Sequence, residues 1–284
     1  VSARNPPPES AKLNILLSRE VVAIAKKGEL IEVTMKDGEV MQADYVISTL
    51  PLGVLKTGTP TFDPPLSVSK TDAIERLAFG NVAKISILFE SAWWASKITV
   101  DWFGITRSGE TARGLSTQYV NMHKVAGKPV LMTFAVGPAA DAVDGMSDAA
   151  VWNATLANLK VIFGESVPPS TYKAITVQRW GTDPYARGCY SHHSTTSQGS
   201  DYAAMGSDEY GGRLLFAGEA TDETFYGSAH NALLTGQRAA RAVLRAEEIA
   251  PAESLNSGTK QAPGIAAFLL CAATLLTSLF GWSK

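Results

Sequence analysis

The chain has few cysteines and no cluster of basic residues. These two features argue against a metal site and against a nucleic-acid partner. Its 284 residues include only two cysteines, Cys189 and Cys271. They form no CxxC pair and do not stand near histidines at a metal-ligand spacing, so we predict no metal site. The formal net charge is −2, and no block of Lys and Arg occurs. We therefore expect no nucleic-acid partner.

The start of the sequence lacks the pattern of a secretory signal. Residue 1 is Val, and no basic segment followed by an apolar core comes after it. The first residues, SARNPPPES, are polar and rich in Pro, which is typical of an extended lead-in. This start is typical of a chain that begins inside a longer protein.

Charge is absent from residues 265–282 near the other end. The run IAAFLLCAATLLTSLFGW would span about 27 Å as a helix at ~1.5 Å per residue, which is long enough to cross a bilayer. It follows a polar stretch, 249–264, that is typical of a linker. We therefore predict membrane association through the C-terminus, on an unknown side. The run is either a transmembrane anchor helix or part of a lipid-anchor signal with small residues at 256–258. An apolar helix packed on the domain is the alternative.

Short apolar runs and amphipathic segments alternate along the rest of the chain. YVIST, KISILF and PVLMTFAVG are predicted strands, because they are apolar and most end at Gly or Pro. SDAAVWNATLANLKVIFG has apolar residues at helical spacing, with Ser147 as its candidate N-cap. A second helical pattern follows Pro64-Pro65, with Gly80 as its expected stop. This order of elements predicts a mixed α/β (α+β) fold.

One stretch combines a strand, a polar loop and a helix, and it has the features of a ligand site. LLFAGEATDETFYGSAHNALLTGQRAARAVL begins with a buried strand and becomes helical from Ser228 onward. The first turn of a helix has unpaired N–H groups and a partial positive charge, which attract an anionic or electron-rich group. Small residues such as Gly227, Ser228 and Ala229 allow that group to approach closely.

Four segments resemble the flavin-containing amine oxidase family, which includes polyamine oxidases, monoamine oxidases and flavin-dependent histone lysine demethylases. In order along the chain they are ADYVISTLPLGVLK, FDPPLSVSKTDAIERLAFGNVAKISILFESAWW, RWGTDPYARGCYSH and LLFAGEATDETFYGSAHNALLTGQRAA. The resemblance implies part of an FAD-binding domain of the glutathione-reductase-like type, in residues 1–56 and 180–248. Residues 57–179 would be a substrate-binding domain with a mixed sheet and helices.

The resemblance also implies which residues bind FAD and act on the substrate. Lys84 stands where the family has a lysine that holds a water near flavin N5. Trp180 resembles a tryptophan that packs near the flavin, and Tyr190 resembles a residue that lines the substrate cavity. In the GEAT match, Gly218 and Glu219 are implied to lie near the ribityl and phosphate groups.

Two further contacts to the cofactor are implied through the backbone. The helix start at Ser228 and Ala229 is expected to aim the Ala229 N–H at the flavin's pyrimidine carbonyl. Such a helix end would stabilise negative charge on the reduced flavin. Val22, or Val21 beside it, would approach the adenine, although plain strand packing also explains these two valines.

The chain departs from the family pattern at three places in the matched segments. Ser228 stands where some members place a tyrosine that forms one wall of an aromatic cage. The wall is then either incomplete or supplied by Phe225 or Tyr226. Asn231 stands where Gly is usual, and Cys189 stands where Ser is commoner.

A larger departure is the absence of the GxGxxG loop with which the family binds the ADP half of FAD. The resemblance implies the C-terminal portion of an FAD-dependent oxidase whose N-terminal segment lies elsewhere in a parent protein. The implied reaction converts an amine, preferably a polyamine or other secondary amine, to an imine while O2 becomes hydrogen peroxide. Two alternatives remain: a truncated, inactive, membrane-tethered module, and an amino-acid or porphyrinogen oxidase. Arg179 or Arg187 in the cavity would favour an amino-acid substrate.

Overall fold

The computed structural model describes residues 14–106, 114–164, 167, 172–247 and 267–271. Strands and helices alternate along it, and the predicted mixed α/β fold is confirmed. The strands are β1 (Val21–Lys27), β2 (Leu30–Met35), β3 (Val40–Ala43), β4 (Tyr45–Thr49), β5 (Thr61–Asp63), β6 (Ala78–Gly80), β7 (Val82–Phe89), β8 (Trp102–Gly104), β9 (Leu115–Asn121), β10 (Val130–Val136), β11 (Tyr172–Gln178), β12 (Tyr190–His192), β13 (Leu214–Phe216) and β14 (Ala267–Cys271). The helices are α1 (Leu52–Leu55), α2 (Val68–Arg76), α3 (Met122–Ala126), α4 (Pro138–Asp144), α5 (Asp148–Phe163), α6 (Asp201–Gly206) and α7 (Ala229–Ala246).

The first sheet contains a meander of three consecutive strands. Its strand order is β3-β2-β1-β5, with β1, β2 and β3 antiparallel and β5 parallel to β1. Strand β2 alternates between buried and half-buried residues, so one face of the sheet packs inward. Ile24, Ile31 and Val33 form that inner face together with Leu214 and Phe216 of β13.

A five-stranded antiparallel sheet, β11-β7-β10-β9-β8, builds the largest core. Strand β7 has a strict period of two, and Ala83, Ile85 and Ile87 are fully buried in the core that α4 and α5 also line. Lys84 lies between these residues in sequence, so its side chain leaves the opposite face of the sheet.

The N-cap predicted for the long helix is confirmed. Helix α5 begins at Asp148, and the Oγ of Ser147 accepts a hydrogen bond from the Ala150 N–H at 3.2 Å. The buried face of the helix includes Val151 and Leu159.

We expect Ser147→Ala to lower the free energy of unfolding by about 1 kcal/mol, because the Ala150 N–H loses its acceptor. Ser147→Asp restores an acceptor at the same place and should stay within about 0.5 kcal/mol of the original protein. Urea unfolding of the three proteins measures both differences. Equal stability of the Ala and Asp variants would show that the cap bond contributes nothing.

The helix expected to stop at Gly80 ends earlier. Helix α2 ends at Arg76, and Ala78–Gly80 forms β6, which pairs with β12 in an antiparallel register that joins Gly80 to Tyr190. Pairing between distant segments overrides the local helical pattern here. The consequence is functional, because β6 brings the Tyr190 segment next to the start of β7.

A short parallel sheet, β13-β4-β14, supports the last helix. Ala239 and Val243 of α7 pack against Leu215 and Ala217 in one buried cluster. This packing fixes the end of β13, from which the loop before α7 begins.

The predicted membrane attachment through the C-terminal run is wrong. Ala267–Cys271 is a strand, and it pairs in parallel with β4 from Tyr45 to Thr49. Among the residues that the structure describes, no helix is long and apolar enough to cross a membrane. An uncharged apolar run fits a parallel strand as well as a membrane helix, which explains the error. The predicted linker 249–264, the small residues 256–258 and the rest of the run lie outside the described residues.

Candidate functional site

Lys84 lies in β7, the second strand of the five-stranded sheet, on the face opposite the core. Its neighbours across the sheet are Phe134 in β10 and Gln178 in β11. Two residues before it, the Val82 carbonyl accepts a hydrogen bond from Cys189 Sγ at 3.1 Å. Burial raises the pKa of the Cys189 thiol, and this outweighs the opposite effect of the nearby Lys84 charge. Cys189 is therefore a neutral packing residue beside Lys84.

The loop 180–188 brings Trp180 and Tyr190 to the same place. Trp180 follows β11 by two residues, and its carbonyl accepts a hydrogen bond from the Gly188 N–H at 3.0 Å. The Cys189 N–H then donates to the Gly80 carbonyl at 2.7 Å, where β12 begins to pair with β6. Gly188 has a φ of +141°, and a Cβ there would lie 2.5 Å from the Phe79 ring, so only glycine closes this loop.

The carboxylate of Glu219 joins β12 to the loop that enters α7. Its Oε1 accepts a hydrogen bond from the Ser191 N–H at 3.0 Å, and its Oε2 accepts from Ser191 Oγ at 2.7 Å. The same Oε2 accepts from the Gly227 N–H at 2.7 Å. One side chain therefore fixes the distance between Tyr190, beside Ser191, and the first turn of α7.

The first turn of α7 has the features of an anion-binding helix start. Ser228 is the N-cap, and its Oγ accepts a hydrogen bond from the Asn231 N–H at 3.4 Å. Helix geometry leaves the N–H groups of Ala229 and His230 without acceptors inside the helix, and both residues are exposed. Eighteen residues of helix add their dipole to this end.

Gly218 leaves room for a ligand beside this turn. Its φ is +138°, and a Cβ built on it would meet no atom within 4 Å. The Gly218 N–H is already bonded to Thr235 Oγ1 at 3.0 Å, so the backbone is fixed while its other side stays open. Open space next to free helix amides suits an electron-rich cofactor edge, so these residues fit a flavin.

Val22 lies apart from this group. It is the extra residue of an irregularity in the β1–β2 ladder, and its carbonyl faces the Thr61 hydroxyl at 3.4 Å. Val21 instead lines a cavity of about 280 Å³ between β1 and the 180–188 loop, whose Tyr185 and Arg187 also line it. That volume is near the lower end of ligand pockets, about 300–1,000 Å³, and fits part of a dinucleotide.

The aromatic residues proposed for the substrate cavity differ in how far other rings cover them. The Tyr226 ring stacks on Tyr202 with 4.9 Å between ring centres, and His193 meets both rings edge-on. The Phe225 ring meets His230 at 4.8 Å and is half exposed. Tyr190 and Tyr226 are also exposed, so a substrate can reach all three predicted cavity residues, although one face of Tyr226 is covered by Tyr202.

The arginines considered for an amino-acid substrate point to other roles. Arg179 donates to the carbonyls of Val143 and Met146 and pairs with Asp148 at 2.7 Å. It therefore ties β11 to α4 and α5. Arg187 lines the cavity beside Val21 and is exposed.

Sequence reasoning missed three residues of the site. Ser191 is buried and bonds to Glu219, and the period of two in a strand after Tyr190 could have indicated its inward direction. Tyr202 donates to Ser191 Oγ at 3.2 Å, and burial raises the pKa of Tyr202 to about 12, which keeps its hydroxyl protonated. Thr235 faces Gly218 from α7, one turn after Asn231.

Comparison with known proteins identifies the family of the chain. The model of the family described as flavin containing amine oxidoreductase matches residues 3–244. The chain belongs to this family. Membership in this flavin family implies FAD as the cofactor.

Its relatives include two kinds of family member at nearly equal identity. The lysine-specific histone demethylase 1 homolog 2 of Oryza sativa subsp. japonica is 34% identical over 87% of this chain and 32% of its own length. Polyamine oxidase 2 of Arabidopsis thaliana is 35% identical over 80% of this chain and 44% of its own length. The lysine-specific histone demethylase 2 of Homo sapiens is 34% identical over 80% and 28%. The chain thus spans less than half the length of these curated relatives.

Proposed function

We propose that this chain forms the flavin-facing and substrate-facing walls of an FAD-dependent amine oxidase acting on a polyamine or another secondary amine. The observation that carries the proposal is a continuous set of contacts. The strand of Lys84 is bonded to the segment of Tyr190 through Val82 and Cys189. Ser191, the next residue after Tyr190, is bonded through Glu219 to Gly227 before the helix start.

Each of these residues has a part that follows from its position. Lys84 holds or moves a proton at its Nζ, because its side chain leaves the face of β7 opposite the core and β7 begins at Val82, to which Cys189 bonds. The Ala229 N–H, at the positive end of α7, stabilises negative charge on an electron-rich ring edge. Trp180 and Tyr190 shape the cavity and exclude water from it.

When bound, FAD would supply the two-electron oxidation of the carbon next to the amine nitrogen, with O2 as the final electron acceptor and hydrogen peroxide as its product. The amine becomes an imine, which water hydrolyses. In this proposal residues 1–56 and 180–248 serve the cofactor and residues 57–179 serve the substrate. In this proposal Val21 and Val22 serve the adenine end of FAD, and Val21 lines the cavity that Tyr185 also lines.

A secondary amine is a group that substrates of the two named kinds of relative can share, since polyamines and monomethylated lysine both contain one. The exposed rings of Tyr190 and Phe225 provide faces for a cationic amine. Arg179 is engaged with Asp148 and two carbonyls, so it offers no guanidinium to a substrate carboxylate. This disfavours Arg179 as a carboxylate partner in an amino-acid oxidase, and Arg187 lines the cavity beside Val21.

We expect the full chain, incubated with FAD and gel-filtered, to keep a flavin absorption spectrum that N-acetylspermine bleaches under anaerobic conditions. A peptide with a monomethylated lysine is the matched second substrate, and faster bleaching by that peptide would replace the polyamine preference. Loss of all flavin on the column would contradict the proposal, because the residues assigned to the cofactor would then not hold it.

A further inference from the structure

The buried face of α7 is polar where it meets the turn that carries Glu219. Asn231 is 2% exposed and Thr235 is 3% exposed, one helical turn apart. Burial of polar side chains is unfavourable unless every group finds a partner, so a polar buried face needs a reason. The partners of these two residues provide it.

Asn231 bonds to both ends of the turn. Its Nδ2 donates to the Glu219 carbonyl at 3.1 Å and to the Asp222 carbonyl at 3.1 Å. Thr235 Oγ1 accepts from the Gly218 N–H at 3.0 Å, one residue before Glu219. The helix therefore holds the backbone of residues 218–222 through two bonds of the Asn231 amide, one of Thr235, and one of Arg238, whose Nη1 donates to the Thr221 carbonyl at 2.9 Å.

The 218–222 turn positions the carboxylate of Glu219. That carboxylate accepts from Ser191 and Gly227, so any shift of the Glu219 backbone moves either Tyr190 or the first amides of α7. Both of these lie in the proposed reaction site. A displacement of about 1 Å in such a group can reduce a rate by about 100-fold.

From these contacts we infer that Asn231 is a positioning residue of the oxidase. Its side-chain amide fixes the 218–222 turn so that Glu219 holds Tyr190 and the Ala229 N–H at one separation. The inference rests on the proposed function for its catalytic consequence. The part of the inference that concerns hydrogen bonds within this chain does not depend on the cofactor.

Asn231→Ala separates the side-chain bonds from the helix itself. Ala has a higher helix propensity than Asn, so α7 is not weakened and any local loosening comes from the missing amide. Asn231→Asp keeps the shape but turns an acceptor toward two carbonyls, and its effect should be larger. Gln237→Ala is the matched control, since within the described residues its amide bonds to no part of the turn.

The first measurement is amide hydrogen exchange of the full chain without added cofactor. In Asn231→Ala we expect the protection of the Ser191 and Gly227 amides to fall about tenfold relative to that of Ile85 in β7. Gln237→Ala should leave all three amides unchanged. Unchanged protection of Ser191 and Gly227 in Asn231→Ala would overturn the inference.

The second measurement is anaerobic flavin reduction by N-acetylspermine. We expect the limiting rate of Asn231→Ala to fall about tenfold while the half-saturating amine concentration stays within about twofold, because the group is misplaced and not lost. Loss of exchange protection without a change in rate would refute the positioning role and leave the proposed function intact. A chain that retains no FAD would refute the proposed function, whereas the exchange result still decides whether Asn231 holds the turn.

Discussion

Lys84→Met in the FAD-loaded chain should reduce the limiting rate of flavin reduction by N-acetylspermine about 100-fold, the lower end of what a positioned proton-transfer group contributes. Methionine keeps the length and the apolar stem of lysine but can neither hold a water nor exchange a proton. The side chain leaves the face of β7 opposite the buried Ala83 and Ile85, so the fold should persist. Stopped-flow absorbance measures the rate, and thermal unfolding checks the fold.

Lys173→Met is the matched control for this change. Lys173 lies in the neighbouring strand β11, is exposed, and pairs with Glu90 at 3.8 Å on the surface. Lys173→Met changes the net charge by the same amount as Lys84→Met and on the same sheet. The rate of flavin reduction in Lys173→Met should nevertheless equal that in the original chain. Equal rates for all three proteins would remove Lys84 from the mechanism.

A second readout of Lys84 needs no flavin. The positive charge of Lys84 lowers the pKa of Cys189 against the larger effect of burial. Lys84→Met should therefore slow the alkylation of Cys189 at a fixed pH, since the thiolate is the reactive form. Mass spectrometry of the Cys189 peptide measures this rate, and an unchanged rate would show that the two side chains are not coupled.

The sequence was sufficient to predict the elements whose signals are local. The Ser147 cap, the strand ending at Phe216 and the helix beginning after Ser228 all depend on residues within a few positions of one another. Such caps and periodic runs act over one or two turns, which is the range that a sequence pattern can show. Comparison with known family motifs added Lys84, Trp180 and Tyr190.

Contacts between distant segments could not be predicted in this way. Glu219 bonds to Ser191, 28 residues earlier, and nothing in either local pattern indicates the other. The strand Ala267–Cys271 has the same uncharged composition as a membrane helix, and only its pairing with β4 distinguishes the two. Lys70 is a third case, because a lone lysine in an amphipathic helix is normally at the surface.

Lys70→Met should lower the free energy of unfolding by about 3 kcal/mol, although it keeps the volume of the side chain. Lys70 has no exposed surface, and its Nζ donates to the carbonyls of Ala204 and Met205 at 2.8 Å and of Ser207 at 2.9 Å. It also lies 4.0 Å from the centre of the Phe216 ring. Methionine leaves three carbonyls without their donor at the end of α6.

Lys56→Met is the control, because Lys56 is exposed and donates to a single carbonyl, that of Glu75, at 2.9 Å. Its effect on the free energy of unfolding should stay below about 0.5 kcal/mol. Urea unfolding compares the two variants with the original chain. Similar small losses in both would mean that the end of α6 finds other donors when Lys70 is absent.

The end of α6 also supports the proposed site. Tyr202 in α6 stacks on Tyr226 and donates to Ser191, which in turn bonds to Glu219. A loosened α6 should therefore lower the exchange protection of the Ser191 amide before global unfolding begins. Lys70 thus contributes to the order of a site that it does not contact.

The pH dependence of stability provides an independent check on the buried charge of Lys70. Burial lowers the pKa of Lys70 to about 8, from 10.5 in the unfolded chain. Between these two pH values the unfolded state holds more protons than the folded state, so a rise in pH through this window favours folding. The stability advantage of the original chain over Lys70→Met should therefore grow from pH 8 to 10.5 and be constant at lower pH. A flat difference across the window would show that the three carbonyls hold the proton on Lys70 and that their attraction balances the effect of burial.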